Sequence, residues 1–140
     1  MPWALSLLTP RYGWTASRPG VWNVLGVLPG ALGVAGLIWV FVIGCLHLVW
    51  IPQRIEGLES PYLLTQGPYR YSRNPIYLSD LIMWSGWTLF YGSVSVFLGG
   101  LMLWGVMLLL VAHEERSLEA KFGTEYLQYK ARVPRWVRKI

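Results

Sequence analysis

The chain has 140 residues, of which 54% are hydrophobic and 14% are charged. Soluble domains carry roughly 25% charged residues, which a small globule needs to cover its large surface, so this composition excludes a soluble globule and predicts one unit embedded in a bilayer. The net charge of +5 does not indicate nucleic acid, because the cations lie beside apolar runs, where they favour contact with anionic lipid headgroups.

The first apolar run, residues 21–51, contains no formal charge and follows an N-terminal interfacial segment, residues 1–20. It is longer than the roughly 20 residues that a spanning helix needs, so we predict that Pro29 and Gly30 interrupt it and that the spanning helix extends from about Ala31 to about Trp50. Four glycines predict a face of small residues against which another helix can lie closely. They are Gly26, Gly30, Gly33 and Gly36.

A polar loop, residues 52–74, leads to a predicted transmembrane helical hairpin over residues 75–112. Pro75 suits the first turn of its first helix, where no backbone donor is needed, and two apolar runs are joined at Gly92. Lys and Arg are present at both bases of the hairpin but absent from its turn. The positive-inside rule therefore places the loop and the C-terminus on the cytoplasmic side and the N-terminus outside. Arg11 and Arg18 in the N-terminal segment fit that orientation less well. The alternative is that the N-terminal half crosses the membrane twice, which would give four spans.

The C-terminal part, residues 113–140, changes abruptly to a charged sequence and predicts a cytoplasmic amphipathic helix and tail. Apolar residues recur in it at intervals of three and four, as on one face of a helix, and Gly123 could mark a bend. These are Leu118, Phe122, Tyr126 and Tyr129. The expected fold is therefore an all-α integral membrane protein, a single domain over residues 1–140, with about three transmembrane helices, including the hairpin, and a C-terminal amphipathic helix.

Two polar clusters are predicted to lie at the same membrane face. The first, residues 65–77, leads into the hairpin, and the second, residues 113–115, follows it. A hairpin places the start of its first helix beside the end of its second. Asn74 and Tyr77 are therefore expected to face Glu114 and Glu115 across a few ångströms.

These clusters have the properties of a binding site for an amphoteric cofactor. Gly67 allows close backbone approach, tyrosines offer flat faces for an aromatic base, and the helix that starts at Asn74 presents N–H groups and a positive dipole end to an anion. The carboxylates opposite suit an amino group or another cation, so S-adenosylmethionine would match all of these features. The alternative is that Arg70, Arg73 and the two glutamates form an interfacial collar of ion pairs that only holds the hairpin ends together.

The motifs in this region resemble those of one family of membrane enzymes. Gly67-Pro68-Tyr69, Arg73-Asn74-Pro75-Ile76-Tyr77, Glu114-Glu115 and the landmarks from Leu118 to Pro134 are similar to those of isoprenylcysteine carboxyl methyltransferases and phospholipid methyltransferases. The resemblance covers roughly residues 63–136 and implies an integral membrane enzyme that binds S-adenosylmethionine between the hairpin and the C-terminal segment. The cofactor contacts that it implies are Leu64, Gly67, Tyr69, Arg73, Asn74, Pro75, Ile76, Tyr77 and Glu114, with Glu114 on the amino group.

The sequence departs from the family pattern at two positions. The family often has histidine where this chain has Asn74, whose amide can hydrogen-bond a carboxylate but cannot titrate. The carboxyl methyltransferases also carry a substrate-binding arginine one turn before the acidic pair, where this chain has Leu110. A carboxylate acceptor would lose its clamp there, so the expected acceptor is an amine-bearing phospholipid or a small lipophile rather than a prenylcysteine carboxylate.

Methyl transfer from a sulfonium is an in-line displacement, for which the protein mainly positions the reactants and keeps water out. An amine or thiol acceptor must also lose a proton, which His113 or Glu115 could accept. Asp80, an acid in an apolar run one turn beyond Tyr77, is a further catalytic candidate. For Asp80 the alternative is a carboxylate that is merely tolerated near the start of a helix. For His113 the alternative is an interfacial histidine that only faces the headgroups. No metal-ligand spacing is present in the sequence, and the single cysteine, Cys45, lies in an apolar run.

The sequence therefore predicts a membrane enzyme that transfers a methyl group from S-adenosylmethionine to a lipophilic acceptor. The acceptor would enter sideways from the bilayer, and the cofactor would enter from the cytoplasm. Two alternatives stay open: a membrane reductase of related helical architecture that uses a nicotinamide cofactor, and a non-catalytic membrane scaffold. The bilayer is the expected partner, nucleic acid is not, and exposed glycine faces would allow self-association.

Overall fold

The computed structural model describes residues 2–15, 18–49 and 63–137, and every regular element in these ranges is helical. The helices are α1 (Pro2–Leu5), α2 (Val21–Val24), α3 (Val27–Val49), α4 (Pro75–Tyr91), α5 (Val94–Phe122) and α6 (Thr124–Arg132), with a 3-10 helix at Gly67–Arg70. The predicted all-α class is confirmed. The expected end of the first span near Trp50, and the loop from there to residue 62, lie outside the described residues.

Two stretches of helix are long and apolar enough to cross a membrane, Val21–Cys45 and Val94–Phe122. Many of their apolar side chains are exposed, for example Phe41 at 72% and Leu109 at 74%. An apolar surface of this extent is what lipid tails rather than water would cover. α4 has 17 residues and rises about 25 Å, near the lower limit for a spanning helix. The third span therefore stays a prediction.

The interruption expected at Pro29 and Gly30 is wrong. α3 begins at Val27 and continues through both residues without a break. Pro29 lies in the first turn of the helix, where the backbone N–H that proline lacks would have no intrahelical partner. The interruption lies instead between α2 and α3, at Leu25 and Gly26.

The predicted small-residue face of the first span packs along α4. A Cβ atom on Gly33 would overlap the backbone of Met83, and one on Gly36 would overlap the Ser79 hydroxyl. At Gly30 a Cβ would point into open space, but the Gly30 backbone itself lies against Gly86 of α4. The absence of side chains thus allows the two backbones to approach closely, as predicted.

The predicted hairpin is formed by α4 and α5. Gly92 ends α4 in the left-handed conformation (φ +54°), and its N–H donates a 2.9 Å hydrogen bond to the Thr88 carbonyl. The Trp84 indole N–H then donates to the Val96 carbonyl at 2.9 Å, which joins the two helices next to the turn. The base of the hairpin is therefore formed by the start of α4 and the polar end of α5.

The N-terminal segment covers the turn of the hairpin. The Tyr12 N–H donates to the Gly92 carbonyl at 2.9 Å, and the Asn23 side-chain amide donates to the Tyr12 carbonyl at 3.0 Å. The Arg11 guanidinium lies 5.5 Å from the centre of the Tyr91 ring, a cation–π distance. This segment therefore lies at the opposite end of α4 from the predicted polar site.

The C-terminal segment folds back against the base of the hairpin. α5 extends beyond its apolar part to Phe122, and Gly123 (φ +50°) makes the predicted bend before α6. The predicted apolar stripe is confirmed, but it packs inside the protein rather than on a membrane surface. Its cluster consists of Tyr126, Tyr129 and Val133, with Leu63, Leu118 and Phe122 packed against them.

Candidate functional site

The polar site lies where the start of α4 meets the end of α5. Asn74 is the N-cap residue of α4, and Pro75 occupies the first position of the helix. Beyond residue 112, the apolar sequence of α5 gives way to His113, Glu114 and Glu115. The predicted juxtaposition of the two clusters is confirmed, because side chains from α4 and its N-cap reach both glutamates.

The first contact is an exposed hydrogen bond between α4 and α5. The Tyr77 hydroxyl donates to Glu114 Oε1 at 2.7 Å. Tyr69, on the 3-10 helix, lies close enough to be affected by the same carboxylate: burial raises the pKa of the Tyr69 hydroxyl, and the Glu114 charge raises it further. One carboxylate and two phenol rings are thus brought together at the solvent-accessible side of the hairpin base.

The second contact is a buried ionic cluster, which we define as Arg73, Asn74, Glu115 and Arg135. The Glu115 side chain is 5% exposed, and its Oε1 lies 3.1 Å from Arg73 Nη1. Arg135 donates to both carboxylate oxygens, from Nη2 to Oε2 at 2.6 Å and from Nε to Oε1 at 3.2 Å. The Asn74 amide donates to Oε1 at 3.4 Å. Glu115 therefore holds two guanidinium groups from distant parts of the chain.

The ionic cluster also determines the charge state of Glu115. Burial alone would raise the pKa of Glu115, but the hydrogen bond from Arg135 and the charges of Arg73 and Arg135 outweigh burial and lower it. A lowered pKa in the folded state means that the cluster stabilises the fold at neutral pH. That contribution is lost as the pH falls through the lowered pKa.

The backbone of the C-terminal segment is attached to the residues before α4. The Arg73 N–H donates to the Pro134 carbonyl at 3.0 Å, and the Ser72 hydroxyl donates to the Arg135 carbonyl at 3.1 Å. The Tyr129 hydroxyl donates to the Tyr69 carbonyl at 2.8 Å. The segment from α6 onward is thus part of the structure that holds the site.

The predicted cofactor-binding residues fall into two groups. Tyr69, Ile76, Tyr77 and Glu114 lie at least partly exposed at the hairpin base, whereas Arg73, Asn74 and Pro75 pack inward. Leu64 is half-buried and follows Leu63, which packs against Tyr126 and Tyr129. Gly67 has a left-handed backbone (φ +58°), and its close approach is to the Ile43 side chain of α3.

The three predicted catalytic residues have different surroundings. His113 is exposed and directly precedes Glu114 in α5. Asp80 is half-buried, one turn beyond Tyr77. Glu115 is held by two guanidinium groups, and this geometry favours a structural role over proton acceptance. The ion-pair collar that the sequence left open as an alternative is present in part, between Arg73 and Glu115, and it lies beside the exposed Tyr77–Glu114 contact.

Sequence reasoning missed Arg135 and Ser72. Arg135 follows Val133 and Pro134 in the basic tail, which the sequence suggested would contact headgroups. Its guanidinium instead points inward to Glu115, 20 residues earlier in the chain. The sequence carries no local signal for this contact, because the contact depends on how α6 docks against the rest of the protein.

An apolar groove of about 540 Å³ lies between α3 and α4, away from these polar groups. Its walls include Gly30, Val34 and Ile38 of α3 and Trp87 of α4. Trp87 is ten residues beyond Tyr77, about 15 Å along the helix axis. The groove therefore opens in the half of α4 that is nearer to the hairpin turn.

Comparisons with known proteins identify a family for this chain. The profile of the phospholipid methyltransferase family matches residues 50–125. An uncharacterized protein of Haemophilus influenzae is 41% identical over 63 residues, which are 44% of this chain and the whole of that protein.

Two named relatives are similar over a longer part of the chain. Protein-S-isoprenylcysteine O-methyltransferase B of Arabidopsis thaliana is 30% identical over 90 residues, or 63% of this chain and 43% of that protein. Protein-S-isoprenylcysteine O-methyltransferase of Schizosaccharomyces pombe is 37% identical over 73 residues, or 51% of this chain and 31% of that protein. The chain thus spans less than half the length of these two relatives. No solved structure matches the chain.

Proposed function

Because this chain belongs to the phospholipid methyltransferase family, we propose that it is an integral membrane methyltransferase that uses S-adenosylmethionine to methylate a lipophilic acceptor. The observation that carries this proposal is the hydrogen bond from Tyr77 to Glu114 at the exposed base of the hairpin. This bond places the Glu114 carboxylate, which can bind a cation, next to the first turn of α4, whose N–H groups can bind an anion.

The residues at the hairpin base fit the charges of this cofactor. The Asn74 side chain makes no capping hydrogen bond to α4, so the N-terminal N–H groups of the helix can receive the carboxylate of the cofactor. Glu114 would receive its amino group, and the ring of Tyr69 would lie against its base. Ile76, which is 45% exposed at the start of α4, would supply an apolar contact.

The cofactor, when bound, supplies an electrophilic methyl group, so the side chains need only orient, shield and move a proton. Tyr77 orients the Glu114 carboxylate by donating to one of its oxygens. An amine acceptor must also lose a proton, and the exposed His113 is better suited to take it than Glu115, whose oxygens are bound by guanidinium groups. Asp80 stays a candidate for contact with the acceptor.

The acceptor is proposed to be an amine-bearing phospholipid or another small lipophile that enters from the bilayer. Leu110, one turn before the acidic pair, is 47% exposed and carries no charge that could bind a carboxylate. The arginines that contact the acidic pair in the ionic cluster, Arg73 and Arg135, are bound to Glu115. A prenylcysteine carboxylate, which the names of the two relatives suggest, would therefore find no cation at the position of Leu110.

The proposal is tested by cofactor binding to the purified chain in lipid nanodiscs. We expect S-adenosylmethionine to bind, Glu114→Gln to weaken binding about tenfold, which corresponds to about 1.4 kcal/mol, and Tyr77→Phe to weaken it about fivefold through loss of one hydrogen bond. Glu125→Gln is the matched control, because Glu125 is an exposed acid on α6, and its affinity should equal that of the parent.

Two results would contradict the proposal. Binding of NADPH without any binding of S-adenosylmethionine would identify a reductase instead. Unchanged affinity in folded Glu114→Gln and Tyr77→Phe proteins would show that these side chains only hold the hairpin ends together.

Incubating membranes with methyl-labelled cofactor then identifies the acceptor. The label should appear in lipid or a small lipophile, and label in a prenylated peptide would reverse the preference argued from Leu110.

A further inference from the structure

We infer that Arg135 is a positioning residue for the proposed methyl-donor site, although it is not one of the groups that would touch the cofactor. This inference rests on the proposed function. Arg135 acts through its side chain on the end of α5 and through its backbone on the start of α4. These are the two elements that carry Glu114 and Tyr77.

The side chain of Arg135 determines the orientation of the end of α5. Its guanidinium binds both oxygens of Glu115, at 2.6 Å and 3.2 Å, a bidentate geometry that fixes direction as well as distance. Successive residues of an α-helix point about 100° apart. Holding Glu115 in one direction therefore also sets the direction in which its neighbour Glu114 points.

The backbone of Arg135 determines the position of the start of α4. Its carbonyl accepts from the Ser72 hydroxyl at 3.1 Å and from the Asn74 amide at 3.3 Å. The Ser72 hydroxyl in turn accepts from the Asn74 N–H at 3.1 Å. These bonds fix the N-cap of α4, and Tyr77 lies three residues later, within the first turn. One residue thus binds to both sides of the Tyr77–Glu114 contact.

The charges show that this role differs from simply filling the core. Arg73 and Glu115 already form a buried pair, with side chains that are 9% and 5% exposed, whereas the Arg135 side chain is 44% exposed. Loss of an ion-pair partner is most damaging when it leaves a buried charge unpaired. Removing Arg135 does not do this, because Glu115 keeps its contact with Arg73. We therefore expect the protein to fold without the Arg135 side chain but with Tyr77 and Glu114 misaligned.

The test compares Arg135→Ala with Arg132→Ala in lipid nanodiscs. Arg132 is an exposed arginine on α6 whose Nε donates to the nearby Gln128 carbonyl, within its own helix. We expect Arg135→Ala to bind S-adenosylmethionine about tenfold to a hundredfold more weakly, the scale of loss produced by a misplaced site, and Arg132→Ala to bind like the parent. Arg135→Lys should stay impaired, because lysine cannot form the bidentate contact.

A double-mutant cycle separates positioning from general stability. If Arg135 acts through the Tyr77–Glu114 contact, Tyr77→Phe should weaken cofactor binding less in the Arg135→Ala background than in the parent. Additive effects on binding would overturn the inference. If Arg135→Ala does not fold, the same cycle is measured with Arg135→Lys, which retains the charge.

Amide hydrogen exchange tests the inference without any cofactor. The Arg73 N–H donates to the Pro134 carbonyl, so release of the C-terminal segment should speed its exchange in Arg135→Ala but not in Arg132→Ala. Equal exchange in the two variants would overturn the inference. If the parent protein binds no S-adenosylmethionine, the proposed function fails, and the exchange result still shows whether Arg135 holds the segment in place.

Discussion

Glu114 and Glu115 are neighbours in α5, but their carboxylates lie in different surroundings. Glu114 is exposed and accepts one hydrogen bond from a phenol, whereas Glu115 is 4% exposed and bound by two guanidinium groups. An exposed carboxylate is free to exchange partners with a ligand, and a buried one with a lowered pKa is not. The proposed binding residue and the structural residue are therefore identical side chains in different surroundings.

The structural role of Glu115 predicts a large effect on stability. Glu115→Ala would leave Arg73 as a buried cation without its partner, which costs about 3–5 kcal/mol of unfolding free energy. Glu119→Ala is the control, because the Glu119–Lys130 pair is about 40% exposed on both sides and such pairs contribute at most about 1 kcal/mol. Unfolding in mixed micelles measures both, and similar losses in the two variants would contradict the buried role of Glu115.

At the scale of elements, the packing of α3 on α4 depends on the glycines that separate their backbones. Gly33→Ala should cost about 1–3 kcal/mol, because its Cβ would overlap the Met83 backbone and force the helices apart. Gly44→Ala, in the same helix but facing open space, should be neutral or stabilising by up to about 1 kcal/mol. Equal unfolding free energies of the two variants in mixed micelles would show that the close approach contributes nothing.

The elements were predictable from local sequence to different extents. The hairpin and the bend at Gly123 follow from local rules, and the structure agrees with both. The predicted break at Pro29 is wrong because a proline breaks a helix only when at least a full turn precedes it, and the sequence does not define where α3 begins.

The site could be predicted only where chain connectivity alone brings residues together. The two ends of a hairpin must meet, so the contacts of Tyr77 and Asn74 with the glutamates were foreseeable. The contact between Arg135 and Glu115 was not. It requires α6 to turn back at Gly123 and to pack its tyrosines against Leu63. A basic residue near a membrane segment carries no local sign that its side chain points inward.

At the scale of the whole molecule, the two polar regions lie at opposite ends of α4. The N-terminal segment is bonded to Gly92 at the hairpin turn, and the C-terminal segment is bonded to residues 72–74 at the base. Between them lie largely exposed apolar faces of α3 and α5. If α4 and α5 each cross the bilayer, the N-terminal segment and α6 must lie on opposite sides of it, and the positive-inside rule predicts the cytoplasmic side for α6.

Single-cysteine labelling in intact cells tests this arrangement. In a Cys45→Ser background, Thr15→Cys and Glu125→Cys introduce thiols at exposed positions of the N-terminal segment and α6. A membrane-impermeant maleimide should label the cysteine at 15 in intact cells and the one at 125 only after permeabilisation. Labelling of both in intact cells would mean an even number of crossings and remove α4 as a span. The reverse pattern would retain three spans but move the proposed cofactor site outside the cell, where a cytoplasmic methyl donor could not reach it.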